Sequence, residues 1–316
     1  MENQVLISAR GLTRRYGAML AVDDLNLTLH QGEILGLLGP NGAGKSTTMK
    51  MLTGNLAPSA GDVQINGMSM RENPKAAKQF LGYLPEQPPV YPELTVDEYL
   101  RYCAGLHGVA PGARAAALDS AKRDCGLSHV GHRLVGNLSK GYQQRVGIAQ
   151  AIIHRPPVVI LDEPTVGLDP IQILEIRNLI KSLGQNHSVI LSSHILPEIQ
   201  AVCSRVMIIA HGQAVYNEPV EATRDQALTA LTLGLLRAPK VDAITAIAGV
   251  KSARDLGNGR FAIEVAAGAD PREALADASA RGDWGLIELA AQTRTLEDIF
   301  VALTSSDVSN NMKEAA

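Results

Sequence analysis

Residues Gly39-Pro40-Asn41-Gly42-Ala43-Gly44-Lys45-Ser46 fit the pattern G-x-x-x-x-G-K-[ST]. In that pattern glycines let backbone N–H groups converge on an anion without Cβ clashes. The lysine, here Lys45, can then reach terminal phosphates, and the Ser46 hydroxyl can sit on Mg2+. The flanks supply the context that the chemistry needs. Glu33–Leu38 is a short apolar run of buried-strand type, and Thr47–Leu52 has no breaker and reads as a helix start. Strand, glycine loop and helix in that order place an anion at a helix N-terminus. The chain is expected to bind a nucleoside triphosphate.

A second chemical stretch is Val158-Val159-Ile160-Leu161-Asp162-Glu163, four apolar residues followed by two acids. A buried parallel strand has little structural reason to end in paired carboxylates, although a solvated acidic turn would look the same. Beside a phosphate loop, the first acid holds Mg2+ and the second can orient and deprotonate an attacking water. Ser188–His194 is another apolar strand ending in one histidine. A lone histidine is usually structural, but this one falls at the sheet edge where ligands gather in α/β folds. Ser139, with Gly141 and Gln143, opens a helical pattern over Val146–Ile153. It reads either as an ordinary helix N-cap or as a second anion-binding helix end. Tyr16 stands out in a chain that is 3% aromatic. It is either a surface for a nucleotide base or a half-exposed loop tyrosine.

The elements that must position these residues follow from pattern. Gln4–Ala9 reads as a strand, Gly11–Gly17 as a turn, and Val22–Leu29 as a half-buried antiparallel strand. Gly61–Gly67 reads as a strand closed by an Asn-Gly turn, and Phe80–Pro85 as a strand before the loop Glu86-Gln87-Pro88-Pro89. Thr95-Val96-Asp97-Glu98 matches a capping box and opens a helix to about Leu106. A second helix is expected over Arg114–Cys125, and a long amphipathic one after Leu168-Asp169-Pro170, through Leu183.

Composition bounds the rest. The 316 residues, 46% of them hydrophobic, suit one large domain and a smaller one. A net charge of -3 gives no general attraction to nucleic acid, and none is expected as a partner. Cys103, Cys125 and Cys203 form no C-x-x-C pair, which suits a reduced, cytoplasmic setting. Met1–Ile7 lacks the basic-then-apolar order of a signal peptide, and no apolar run approaches the ~20 residues that span a bilayer.

Taken in order, these segments resemble the ATP-binding subunit of an ABC transporter over residues 4 to 216. The resemblance rests on Tyr16, Gly39–Ser46, the loop at Glu86-Gln87, Leu138-Ser139-Lys140-Gly141-Tyr142-Gln143, Val159–Glu163, Leu168-Asp169 and His194. It implies a P-loop α/β core with an antiparallel β subdomain and a helical subdomain at about residues 91–135. It also implies that Tyr16 stacks on adenine. The backbone from Gly39 through Asn41, Gly42, Ala43, Gly44, Ser46 and Thr47, with Lys45, holds the β- and γ-phosphates of ATP. Ser46, Asp162 and the loop residue Glu86 serve Mg2+, although a slipped register would put Gln87 there. Glu163 is the general base, and His194 contacts the γ-phosphate. Ser139 and Gly141 bind the ATP of the opposite subunit in a head-to-tail homodimer, and Asp169 links the two sites. The variant signature Leu138-Ser139-Lys140-Gly141-Tyr142 is similar to subunits of ABC-2 type exporters. Such a subunit works from the cytoplasmic face of the inner membrane, held by a separate integral-membrane permease near Glu86–Leu106. The alternative is a soluble ABC ATPase that acts without a permease.

Beyond Gly212 the pattern changes. Leu228–Leu235, Val250–Asp255, Arg260–Ala266 and Gly285–Ala290 read as strands, with helices over Val241–Ala248, Pro271–Ala280 and Leu296–Leu303. The Gly257-Asn258-Gly259 turn marks a hairpin. This β-α-β-β-α-β order predicts a small ferredoxin-like α+β domain over 217–304, with a disordered tail at 305–316.

Overall fold

The computed structural model describes residues 4–221, 230–266, 268–292 and 296–305. They divide into two compact units, the first comprising the chain to Val220 together with the residues from Ala302 on, and the second covering Glu221–Val301.

The first unit holds two sheets. One is antiparallel, in the order β2 (Met19–His30), β1 (Val5–Tyr16), β4 (Ala60–Ile65) and β5 (Met68–Ser69). The segment Gly11–Gly17 is not a turn, as its glycines suggested, but part of β1. Gly11 takes φ 60 and sits where the β1–β2 register slips between Ala9 and Leu12, so a bulge absorbs it and the strand continues. The chain turns only after Tyr16.

The other sheet has six strands in the order β10 (Gln213–Pro219), β9 (Arg205–Ala210), β3 (Ile34–Leu38), β8 (Ser188–Ser193), β7 (Val158–Leu161) and β6 (Leu81–Leu84). From β9 to β6 every pair is parallel, while β10 returns antiparallel on β9. Every residue of β7 and β8 is buried, as expected where helices cover both faces of a parallel sheet. Because β10 runs to Pro219, this unit extends past the expected limit at residue 216.

Helix α1 (Lys45–Leu52) contributes Met49, Met51 and Leu52 to a core that joins Ile7 and Leu25 of the antiparallel sheet to Leu35, Ile160 and Ile190 of the parallel one. Short α2 (Pro74–Lys78) precedes β6. Helices α3 (Val96–Leu106), α4 (Arg114–Asp124) and α5 (Lys140–Ile152) pack on one another. The expected capping box is present at α3: Thr95 accepts the Glu98 N–H, and the Glu98 carboxylate accepts the Thr95 N–H. Helix α6 (Pro170–Leu183) is capped by Asp169, whose Oδ1 accepts the Gln172 N–H at 2.9 Å, and α7 (Leu196–Val202) follows β8. No helix among the described residues is long and apolar enough to cross a membrane.

The second unit contains β11 (Ala230–Leu235), α8 (Val241–Thr245), β12 (Val250–Gly257), β13 (Arg260–Val265), α9 (Arg272–Arg281), β14 (Leu286–Gln292) and the start, to Val301, of α10 (Leu296–Ser305). Its sheet order is β12-β13-β11-β14, antiparallel throughout, which is the ferredoxin-like arrangement. Leu231, Leu233, Phe261 and Ile263 meet Ile244 of α8 and Leu275 of α9 in its core. Ser305 belongs to α10 rather than to a tail, whose remaining positions, like Leu228 and Thr229, lie outside the described residues.

Candidate active site

The chemistry-bearing residues collect at one edge because neighbouring parallel strands end together. Leu38 pairs with Ser193, and Leu161 pairs with both Leu191 and Leu84. The segments just beyond β3, β8, β7 and β6 therefore carry the phosphate loop, His194, Asp162-Glu163 and Glu86 side by side.

The loop itself is shaped by backbone constraints. Gly44 has φ 105, and a Cβ on it would fall 2.6 Å from the Ala21 carbonyl oxygen. A Cβ on Gly39 would fall 2.3 Å from the carbonyl oxygen of Ile209. Either side chain would force the loop away from the strands that brace it. The Ala43 carbonyl, at the base of the loop, accepts the Gly212 N–H at 3.0 Å. Lys45 Nζ donates to the carbonyls of Gly39 at 2.7 Å and Pro40 at 3.1 Å, and it lies 3.4 Å from Glu163 Oε1. Both charged side chains are buried.

A cavity of roughly 450 Å3 opens over this edge, lined by Tyr16, Met19, Ala21, Asn41, Gly42, Gly44, Lys45, Ser46, Thr47, Glu86, Glu163, Val166 and His194. Glu86 stands in the wall, whereas Gln87 is absent from the lining residues. His194 Nδ1 lies 3.0 Å from Glu163 Oε2. Glu163 is itself held at φ 47, an unusual conformation for a side chain other than glycine.

The family model described as ABC transporter matches residues 22–166. The bacitracin transport ATP-binding protein BcrA of Bacillus licheniformis is 41% identical over 218 residues, covering 68% of this chain and 70% of that protein. The chain belongs to the ABC transporter ATP-binding family. The uncharacterized ABC transporter ATP-binding protein YdbJ of Bacillus subtilis (strain 168) is 32% identical over 303 residues, 95% of this chain and 96% of that one. A solved structure of an ATP-binding subunit of an ABC transporter superposes with TM-score 0.63 at 31% identity, over 70% of this chain and 92% of its own. The matched ABC cassette is an ATPase.

Within this ABC subunit, Mg2+ has suitable donors. Ser46 Oγ donates to Asp162 Oδ1 at 3.2 Å, so two hard oxygen ligands already meet. No group of three or more His, Cys, Asp or Glu able to hold a metal occurs among the described residues. Burial pushes the Asp162 carboxyl above its ordinary range, hydrogen bonds from Ser192 and Ser46 pull it back, and Glu163 and Glu86 raise it further.

Ser192 escaped the sequence reading. Its hydroxyl accepts the Glu163 N–H at 2.8 Å and donates to Asp162 Oδ1 at 2.7 Å, so it orients both acids at once. A serine pair at the end of an apolar strand, directly before His194, was the available signal. Met19, beside Tyr16, was also missed, since a methionine at a strand end carries no chemical mark.

The remaining expected residues are elsewhere. Ser139, Gly141 and Asp169 line a different cavity with Tyr142, Arg145, Ile171 and Gln172. Ser139 caps α5 through a long 3.5 Å contact from the Tyr142 N–H. Tyr142 lies edge-on to His129, with Oη 3.1 Å from His129 Nε2.

Proposed function

We propose that this chain is the ATP-hydrolysing subunit of an exporter, acting as a head-to-tail homodimer beneath a separate membrane permease. The observation that carries this reading is the division of one machine between two cavities. Lys45, Ser46, Glu163 and His194 surround the first, and Ser139, Gly141 and Asp169 the second. A nucleotide held in the first would keep its outer side open until a second copy supplied the Ser139 helix end. Exposed Ile171 and Leu174, on the first two turns of α6, offer apolar surface for that closure.

In the closed dimer Tyr16 stacks on adenine, while Lys45 and the loop amides hold the β- and γ-phosphates. Glu163 accepts the proton of the attacking water, and His194 fixes the Glu163 carboxylate and contacts the γ-phosphate. Ser46, Asp162 and Glu86 would hold Mg2+, which when bound neutralises charge on the phosphates. Departure of the γ-phosphate removes contacts made only in the closed state, so the dimer opens.

The permease would dock near Glu86–Leu106. Tyr91, Tyr102 and Leu106 are exposed there, and the Tyr91 and Tyr102 rings meet edge-on at 5.8 Å. Tyr99 Oη donates to the Pro89 carbonyl at 2.9 Å, tying the loop after Glu86 to α3. Force on this surface would thus be transmitted to the nucleotide cavity. Resemblance to ABC-2 type subunits and to a protein named for bacitracin transport supports export. The placement follows: peripheral, on the cytoplasmic face of the inner membrane.

The test combines two measurements. With ATP, Glu163→Gln should elute as a stable dimer that does not turn over, and adding Ser139→Phe should return it to monomer. Purification from detergent-solubilised membranes should recover a polytopic partner. A monomeric Glu163→Gln protein would refute the shared cage, and isolation without any membrane partner would favour the permease-free alternative.

A further inference from the structure

Glu198, in the first turn of α7, carries a buried carboxylate outside the nucleotide cavity, 3% exposed as a residue. Its Oε2 accepts hydrogen bonds from Thr165 Oγ1 at 2.6 Å and Ser193 Oγ at 2.9 Å. Arg177 Nη2, on α6, lies 3.6 Å from Oε1, which accepts no hydrogen bond among the described residues. Thr165 is two residues past Glu163, and Ser193 immediately precedes His194. One carboxylate oxygen therefore pins the two segments that carry the Glu163–His194 pair, and its other oxygen faces Arg177 of α6, the helix capped by Asp169.

Beyond the Lys45 ion pair on Glu163 Oε1, the register of that pair depends on the segments that carry it. The His194 side chain is 40% exposed, with Glu163 as its hydrogen-bonding partner. Glu163 sits at φ 47, a conformation that persists only when neighbouring structure enforces it. Ser192 holds its N–H from the β8 side, and Thr165 fixes the chain beyond it. Burying a carboxylate is costly, and a site needed only for packing is filled as well by apolar groups. What an apolar group cannot do is receive two hydroxyls on one atom and so fix the spacing of the segments that bear them.

We infer that Glu198 is a positioning residue for ATP hydrolysis: it locks the Thr165 and Ser193 segments together so that Glu163 and His194 keep their 3.0 Å register. The inference rests on the proposed roles of Glu163 and His194. Its test is steady-state ATPase on the full chain, measuring kcat and KM for MgATP together with the thermal unfolding midpoint. Glu198→Ala should lower kcat by about tenfold or more while KM stays within about threefold, because alignment and not binding is lost. Glu198→Gln retains an acceptor oxygen for both hydroxyls and should recover most of the loss. Thr165→Val and Ser193→Ala, which remove one hydroxyl each, should lower kcat less, and neither should add fully to Glu198→Ala. Wild-type kcat in Glu198→Ala, or a Glu198→Gln protein as impaired as Glu198→Ala, would overturn the inference while Glu163→Gln remains inactive. Wild-type turnover in Glu163→Gln would instead overturn the underlying assignment of the base, and the inference with it.

Discussion

His194 Nδ1 and Glu163 Oε2 stand 3.0 Å apart at the ends of adjacent parallel strands, although 31 positions separate them in the chain. Removing the ring leaves Glu163 Oε2 without its partner, with only Lys45 on the other carboxylate oxygen. His194→Ala should lower ATP turnover by about 10²-fold or more, in the range of an acid–base or positioning contribution. Because the ring is half-exposed, thermal stability should hardly change. Single-turnover kinetics would separate this loss from any change in ATP affinity, and unchanged turnover would remove His194 from the mechanism.

Ser192 serves the acids from behind. Ser192→Ala strands the Glu163 N–H and takes one donor from Asp162, so it should cost about 1–3 kcal/mol of stability. The Asp162 carboxyl should also move further above its ordinary range, since that hydrogen bond pulls it down. The half-saturating Mg2+ concentration for ATPase should therefore rise, and rise most steeply as the pH falls. Urea unfolding and Mg2+ titrations at two pH values check both effects.

Gly44 is required by backbone shape. With φ 105 and the Ala21 carbonyl 2.6 Å from where a Cβ would sit, Gly44→Ala must displace the loop amides. Local strain of about 1–3 kcal/mol is expected, with nucleotide affinity reduced by about tenfold or more. Calorimetric titration of the variant with ATP is the direct measurement, and wild-type affinity would contradict the cradle geometry.

A stacked pair of histidines should make the fold acid-sensitive. The rings of His107 and His154 lie 4.0 Å apart with 6° between their planes. Burial, then the neighbouring His107, lowers His154 from 6.5 to about 4, and burial lowers His107 as well. The folded chain thus stays neutral where the unfolded chain takes up protons. The associated stability is complete above pH 6.5 and is lost as the pH falls from there toward 4. Urea midpoints measured from about pH 7.5 down to about pH 5 should decline, and His154→Gln should flatten that decline. An equal slope in the variant would locate the acid sensitivity elsewhere.

Much of the lining of this cavity is legible in the sequence, for a specific reason. The phosphate loop, Asp162-Glu163 and His194 each interrupt an apolar run, so a polar residue at a buried strand's end announces itself. Thr95 announced itself as a cap, and the Gly257-Asn258-Gly259 turn exposed the second unit's hairpin. Other parts left no local trace. Strand β10 is almost wholly exposed and shows no alternation, so only its pairing with β9 defines it. Gly11 looked like a turn because a bulge and a turn ask for the same backbone freedom. Glu198 reads as one more acid on a short helix, because Thr165, 33 positions away, gives it meaning only in three dimensions.

The place expected for the nucleobase has a consequence for selectivity. Tyr16 and Met19 stand 46% and 63% exposed at the cavity rim beside Ala21, and the Arg14 guanidinium lies 4.7 Å above the Tyr16 ring. An aromatic face, a thioether and a methyl group offer breadth and polarisability to any purine. They cannot distinguish an amino group from a carbonyl on its edge, so GTP should fuel the enzyme nearly as well as ATP.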